Sequence, residues 1–137
     1  LIAAAVAADP LLAGRVVVSS AGTSDEHAGE GMHENSAAIL SARGLRSSHQ
    51  ARLFTPALAA TLDLVLAADQ TNLRNGRSII RMAERQPEIR LLRDFDPTAV
   101  GRDLDDPWGH PPTAYERTAT EITAAIPGLL AELRDRI

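Results

Sequence analysis

Asp103-Leu104-Asp105-Asp106-Pro107-Trp108-Gly109 is the stretch of this sequence best equipped for chemistry. It sets three carboxylates beside the chain's only tryptophan, with Pro107 and Gly109 as backbone punctuation. A neighbouring carboxylate and partial desolvation by an indole both disfavour ionisation, so an Asp here can hold its proton and deliver it to a leaving group. The plain alternative is a solvated acidic turn, and the segment alone does not choose between them. His27 and His33 stand among Glu26, Glu30 and Glu34, a donor set that invites a metal. The i, i+4 register that puts two ligands on one helix face is absent, so no metal site is expected. His49 follows Ser47-Ser48 as a surface or capping histidine. Asp69 stands at a helix start, where the dipole favours a carboxylate. No strand-to-helix turn frames Gly29 and Gly31, so they form no phosphate-binding fingerprint. The sequence has no Cys, which removes disulfides, thiolate metal sites and a cysteine nucleophile from these residues.

The elements that must position these groups follow from periodicity and punctuation. Leu1–Ala8 reads as a helix that starts without a capping residue. Arg15–Ser20 is a β-branched run of strand length, closed by a turn at Ala21-Gly22-Thr23. Residues 24–34 read as a polar loop, and Asn35–Arg43 as a short helix stopped by Gly44. Thr55-Pro56 opens the next helix, Thr as cap and Pro in the first turn. Leu62–Ala68 is a nearly all-apolar strand, as burial on both faces requires. Thr71 or Asn72 caps a helix running to about Arg85, and Ile89–Phe95 is a third strand. After a loop over residues 96–112, Tyr115, Ala119, Ile122, Ile126, Leu129, Leu133 and Ile137 trace one apolar helical stripe, with a kink expected at Pro127. Alternation of this kind predicts an α/β fold, a parallel sheet with helices on both faces, in one domain spanning residues 1–137. Ligands of such a sheet bind at the carboxyl ends of its strands, where Ser19–Glu34, Asp69–Leu73 and Asp96–Pro112 emerge.

The 137 residues are 45% hydrophobic and 23% charged, with a net charge of −4. All 14 basic residues are scattered arginines, which argues against a nucleic-acid surface. No apolar stretch approaches the roughly 18 residues of a membrane span, and Asp9-Pro10 interrupts the apolar beginning. A cytoplasmic protein without a membrane partner is expected.

The ordered segments resemble the low-molecular-weight protein tyrosine phosphatases. Val18-Ser19-Ser20-Ala21-Gly22-Thr23 is similar to the family's SAGT signature, and Ser48-His49-Gln50-Ala51-Arg52 to its S-H-x-A-R segment. Leu66-Ala67-Ala68-Asp69-Gln70-Thr71-Asn72-Leu73 resembles M-D-x-S-N-L, and Leu92-Arg93-Asp94-Phe95-Asp96-Pro97 the strand ending in a DP pair. Asp105-Asp106-Pro107-Trp108-Gly109 resembles the acidic DPYYG loop, and Tyr115-Glu116 the aromatic-acidic start of the closing helix. The resemblance implies a three-layer fold on a four-stranded parallel sheet of order 2-1-3-4. It implies hydrolysis of protein phosphotyrosine or small aryl phosphates through a cysteinyl-phosphate intermediate, without metal or cofactor, by a monomer or weak dimer. Asp106 falls at the family's general acid. Trp108 falls on one substrate wall, and Glu26 and His27 on the other. Ser20, His49 and Asp69 fall where the family supports its phosphate loop.

Three departures qualify the match. The family's opening strand and C-x5-R-S loop have no counterpart from Leu1 onward, so the domain is expected to be N-terminally incomplete, with its nucleophile ahead of Leu1; these residues alone are expected to be inactive. That strand is central in the family, so Val16–Ser20 and Leu62–Ala68 are expected not to pair directly. The acidic loop carries one aromatic, Trp108, where the family has two, and Glu26 replaces an aromatic on the opposite wall. The altered walls keep a rival open, a non-catalytic binding or regulatory module. Arsenate reduction on the same fold needs further cysteines downstream, and there are none.

Overall fold

In the computed structural model, which describes residues 1–22, 52–104 and 112–137, two strands meet as parallel neighbours. Strand β1 (Leu64–Ala67) pairs with β2 (Glu88–Leu91) in the register Leu64–Glu88 to Ala67–Leu91. Parallel strands need a crossover, and it is helical here. The described elements run α1 (Ile2–Ala8), α2 (Pro56–Ala59), β1, α3 (Gln70–Ile80), β2, a 3-10 helix (Leu92–Phe95) and α4 (Pro112–Asp135).

Alternate residues of β1 face different clusters, as a two-residue period dictates. Leu64 and Leu66 pack with Leu92, Phe95, Ala125 and Leu129, where α4 and Ile2 of α1 meet. Val65 packs with Phe54, Ala59, Ile80 and Ala83, while Ala67 joins Leu73 and Leu91 under α3. The sheet is therefore apolar on both faces, which explains the unbroken apolar run in the sequence. Two ends of the chain are also clasped together. Asp9, directly after α1, accepts from Arg134 Nε at 2.9 Å, and Arg136 bridges Glu88 at the start of β2 and Glu132 on α4.

Several expected elements shorten. The second strand occupies Leu64–Ala67 rather than residues 62–68, and the third stops at Leu91 rather than Phe95. Past Leu91 the chain tightens into the 3-10 helix, whose Leu92 and Phe95 turn into the α4 interface. Gly128 allows that approach: a Cβ there would stand 2.2 Å from the Phe95 carbonyl oxygen. Helix α3 ends at Ile80 rather than near Arg85, and its cap is Asp69 instead of Thr71 or Asn72. Thr55 caps α2 as expected, accepting from Leu58 N at 3.1 Å. Helix α4 continues through Pro127. Of its expected stripe, Tyr115, Ala119 and Leu129 are buried and Ile122, Ile126 and Leu133 half-buried, with Ala125 buried as well, whereas Ile137 lies beyond the helix and is exposed.

The largest correction concerns Arg15–Ser20, expected as a strand. It has no ladder: Val17 is 94% exposed, and the nearest pairing is a single parallel bridge between Gly22 and Leu53. β-Branching supplies local preference, but a strand exists only through a partner, and none is described alongside these residues. No hydrogen bond joins Val16–Ser20 to β1 among the described residues. The expected loop at 24–34 and helix at 35–43 lie outside the described residues.

Candidate functional site

The carboxyl ends of β1 and β2 gather a set of acceptors around the start of α3. After Ala67 the chain turns at Ala68-Asp69 into the helix, whose first N–H groups lack intrahelical partners. Asp69 Oδ1 accepts from Asn72 N at 2.7 Å, and Asp103 Oδ1, from far along the chain, accepts from Gln70 N at 2.9 Å. Two carboxylates thus serve one helix start, where the dipole favours them. Leu104 N donates to Ala68 O at 2.8 Å, so the segment leading to residues 105–111 is fastened to the end of β1.

On the β2 side, the 3-10 helix places two more carboxylates. Asp94 Oδ1 accepts from Gly101 N at 2.7 Å, and Gly101 has φ of +78°, a left-handed turn that glycine adopts freely. Asp96 Oδ1 accepts from Thr98 N at 3.0 Å and Thr98 Oγ1 at 2.8 Å. Those two bonds hold the buried Asp96 below the usual carboxylate range, against the opposing effect of its desolvation, with a smaller contribution from the Arg93 charge. Asp96 acts as a turn-former, its Oδ1 engaged by Thr98. Arg93 Nη1 donates to Asp103 O at 3.0 Å and lies 2.9 Å from Glu121 Oε2 on α4.

Of the expected site residues, Ser20 and Asp69 are described. Asp69 sits at the strand end, engaged as the α3 cap. Ser20 is exposed, and its carbonyl accepts from Arg52 Nε at 3.0 Å. Adjacent bonds from Gly22 N to Arg52 O and from Phe54 N to Gly22 O bring the residue 20–22 segment beside residues 52–54. Asp106, Trp108, Glu26, His27 and His49 lie outside the described residues. Asp103, one of three candidate acids by sequence, is engaged at the α3 N-terminus. Sequence reasoning missed Arg93 and Glu121; the available signal was a guanidinium inside the otherwise apolar end of the third strand. Among the described residues no group of three or more His, Cys, Asp or Glu side chains could hold a metal ion. No described helix is long and apolar enough to cross a membrane.

The profile of the low molecular weight phosphotyrosine protein phosphatases matches residues 2–137. A low molecular weight protein-tyrosine-phosphatase of Streptomyces coelicolor is 36% identical over 124 residues, covering 89% of this chain and 76% of that protein. Among solved structures, YfkJ from Bacillus subtilis superposes with a TM-score of 0.85 at 25% identity, over 98% of this chain and 84% of that one. A protein tyrosine phosphatase from Entamoeba histolytica gives a TM-score of 0.84 over 98% of this chain and 85% of that one, and at 19% identity that likeness concerns the fold alone.

Proposed function

The chain belongs to the low molecular weight phosphotyrosine protein phosphatase family, and on that premise we propose that the protein carrying it hydrolyses protein phosphotyrosine or small aryl phosphates in the cytoplasm, as a monomer or weak dimer. The observation that carries the reading is the family match across residues 2–137. The sheet is then read as part of a three-layer, four-stranded arrangement of order 2-1-3-4, with Val16–Ser20 and β1 flanking the strand that bears the nucleophile.

The sequence contains no Cys, so on this reading the attacking thiolate is not among residues 1–137. Sulfur attacks phosphorus, the bond from phosphorus to the aryl oxygen breaks, and Asp106 gives its proton to the departing phenolate. Water then attacks phosphorus, the sulfur–phosphorus bond breaks, and the Asp106 carboxylate takes up the proton that water loses. Asp106 is preferred to Asp103 because the Asp103 carboxylate already serves Gln70 N, and because Asp106 immediately precedes Pro107. Trp108 on one side, Glu26 and His27 on the other, line the aryl group, while Ser20, His49 and Asp69 support the phosphate loop.

The test is hydrolysis of aryl phosphates by the full-length protein. Asp106→Asn is expected to lower turnover by about 10²–10⁴-fold on substrates with poor leaving groups, and much less on p-nitrophenyl phosphate, whose leaving group needs little help. A full-length protein without a cysteine, or one inert toward every aryl phosphate, leaves the non-catalytic binding module as the better reading. The cysteine-free residues 1–137 alone are expected to show no turnover.

A further inference from the structure

Arginines that are spread along the sequence collect on one face of α3. Gln70, Arg74, Arg77 and Arg81 follow one another at i, i+4, i+7 and i+11 along the helix and its C-terminal cap. At 3.6 residues per turn these positions fall within an arc of roughly 60°, and all four are exposed. The opposite side, at Leu73, Gly76 and Ile80, is buried against the sheet and Phe54. Gln70–Ile80 contains no acidic residue. Arg85, Arg90, Arg93, Arg134 and Arg136 each meet a carboxylate. Arg74, Arg77 and Arg81 meet none among the described residues.

We infer that this face of α3 docks an extended, acidic protein segment; that the segment is the flank of a phosphoprotein substrate rests on the phosphatase reading. The stripe starts at the candidate site. Gln70 N holds the Asp103 carboxylate at the carboxyl end of the sheet, and Arg74 stands about 6 Å further along the helix axis. The Cα–Cβ bonds of a helix tilt toward its N-terminus, so the arginines lean toward that end. From Gln70 to Arg81 the face is about 16 Å long, the span of about five extended residues. Helix stability does not call for the pattern, because like charges at i, i+3 and i, i+4 repel. Charge complementarity selects the partner. The chain carries a net charge of −4, so a partner as broad as an anionic bilayer or a nucleic-acid duplex also meets the acidic remainder. A single acidic segment meets only the stripe.

The experiment compares the full-length protein with its triple variant Arg74→Gln, Arg77→Gln, Arg81→Gln. The substrates are phosphotyrosine peptides of one length, with a run of glutamates before the phosphotyrosine, after it, or neither, and p-nitrophenyl phosphate, which has no flank. In one of the two orders, the glutamate peptide is expected to show a KM roughly 3–30-fold below that of the neutral peptide, with similar kcat. The advantage should fade as salt is raised to about 0.5 M. The triple variant should lose it, while hydrolysing the neutral peptide and p-nitrophenyl phosphate as wild type does. Arg77→Glu alone should raise KM for the glutamate peptide several-fold and spare the neutral one, which carries the test if the triple variant does not fold. Equal KM for all peptides in wild type, or an advantage that survives the substitutions, overturns the proposal and leaves the phosphatase reading intact. Fluorescence anisotropy of a labelled, unphosphorylated glutamate peptide separates the two the other way. A protein inert toward every aryl phosphate that still binds this peptide through the three arginines keeps the docking face and refutes the phosphatase reading. Arginine-dependent binding of phosphatidylserine vesicles or duplex DNA, without affinity for the peptide, overturns the proposal.

Discussion

Leu64–Ala67 and Val16–Val18 are apolar runs of similar make-up, yet one is a strand and the other is not. Leu64–Ala67 has β2 beside it and a cluster on each face, and its backbone polar groups find ladder partners. Val16–Val18 has the stronger β-branching and lacks a described neighbour, so Val17 faces solvent. Intrinsic preference orders the candidates for strand formation, and pairing decides among them. Chemistry follows the same division: the hydrogen-bonded acidic groups described at the strand ends all belong to the paired half.

The comparison is broken most severely by damaging the packing under the paired half. Leu129 is 1% exposed and lies with Phe95 and Ala125 against β1. Leu129→Ala should cost about 2–5 kcal/mol, because the lost contacts and the cavity add together. A lower urea midpoint with an unchanged slope checks it. A loss below about 1 kcal/mol would mean that the cluster of α4, Phe95 and Leu92 does not hold the sheet.

How far the sequence disclosed this arrangement depends on what each signal measures. Thr55-Pro56 was legible because a cap and its proline act locally, within one helical turn. The stripe from Tyr115 to Leu133 was legible because its period repeats often enough to specify a face. The 3-10 helix was not: Ile89–Phe95 reads as a continuous strand, whereas Leu92 and Phe95 turn into the α4 interface, where Gly128 lies close to the Phe95 carbonyl. Asp69 was legible as a helix-start carboxylate, yet its partner at the same helix start, Asp103, was not. Those residues are 34 apart in sequence and meet only once the sheet has formed. Arg93 and Glu121 escaped notice for the same reason, as an ion pair buried between distant segments leaves no local pattern.

A smaller effect would sharpen a described tie between the N-terminal segment and the paired half. Asp9 follows α1, is buried, and accepts from Arg134 of α4. That bond, then the bond from Leu11 N at 2.9 Å, holds the Asp9 carboxyl below its ordinary value despite the opposing cost of burial. The sign follows from linkage. A depressed folded-state pKa gives stability that is complete above the unfolded value of about 3.9 and disappears as pH falls through the folded pKa. Asp9→Asn should therefore destabilise at neutral pH, and its difference from wild type should shrink as the solution is acidified below about pH 4. Parallel denaturation curves of the two proteins from neutral to acid pH check this. A constant difference would show that the Asp9 charge contributes nothing to the tie.

The smallest expected effect is the most informative about Val16–Val18. Val17 at 94% exposure has no packing to lose, and its neighbours Val18 and Ser20 are exposed as well. Val17→Thr keeps the β-branch and exchanges a methyl for a hydroxyl, so it tests burial with local preference nearly unchanged. If the segment stands unpaired in solution, the change should lie within about 0.5 kcal/mol of wild type, the usual range for exposed positions. A pronounced loss in the full-length protein, matched by none in residues 1–137, would mean that a strand supplied from outside these residues covers Val17. The difference between the two apolar runs would then lie entirely in the missing neighbour, since the run at 16–18 would pair as soon as one was offered.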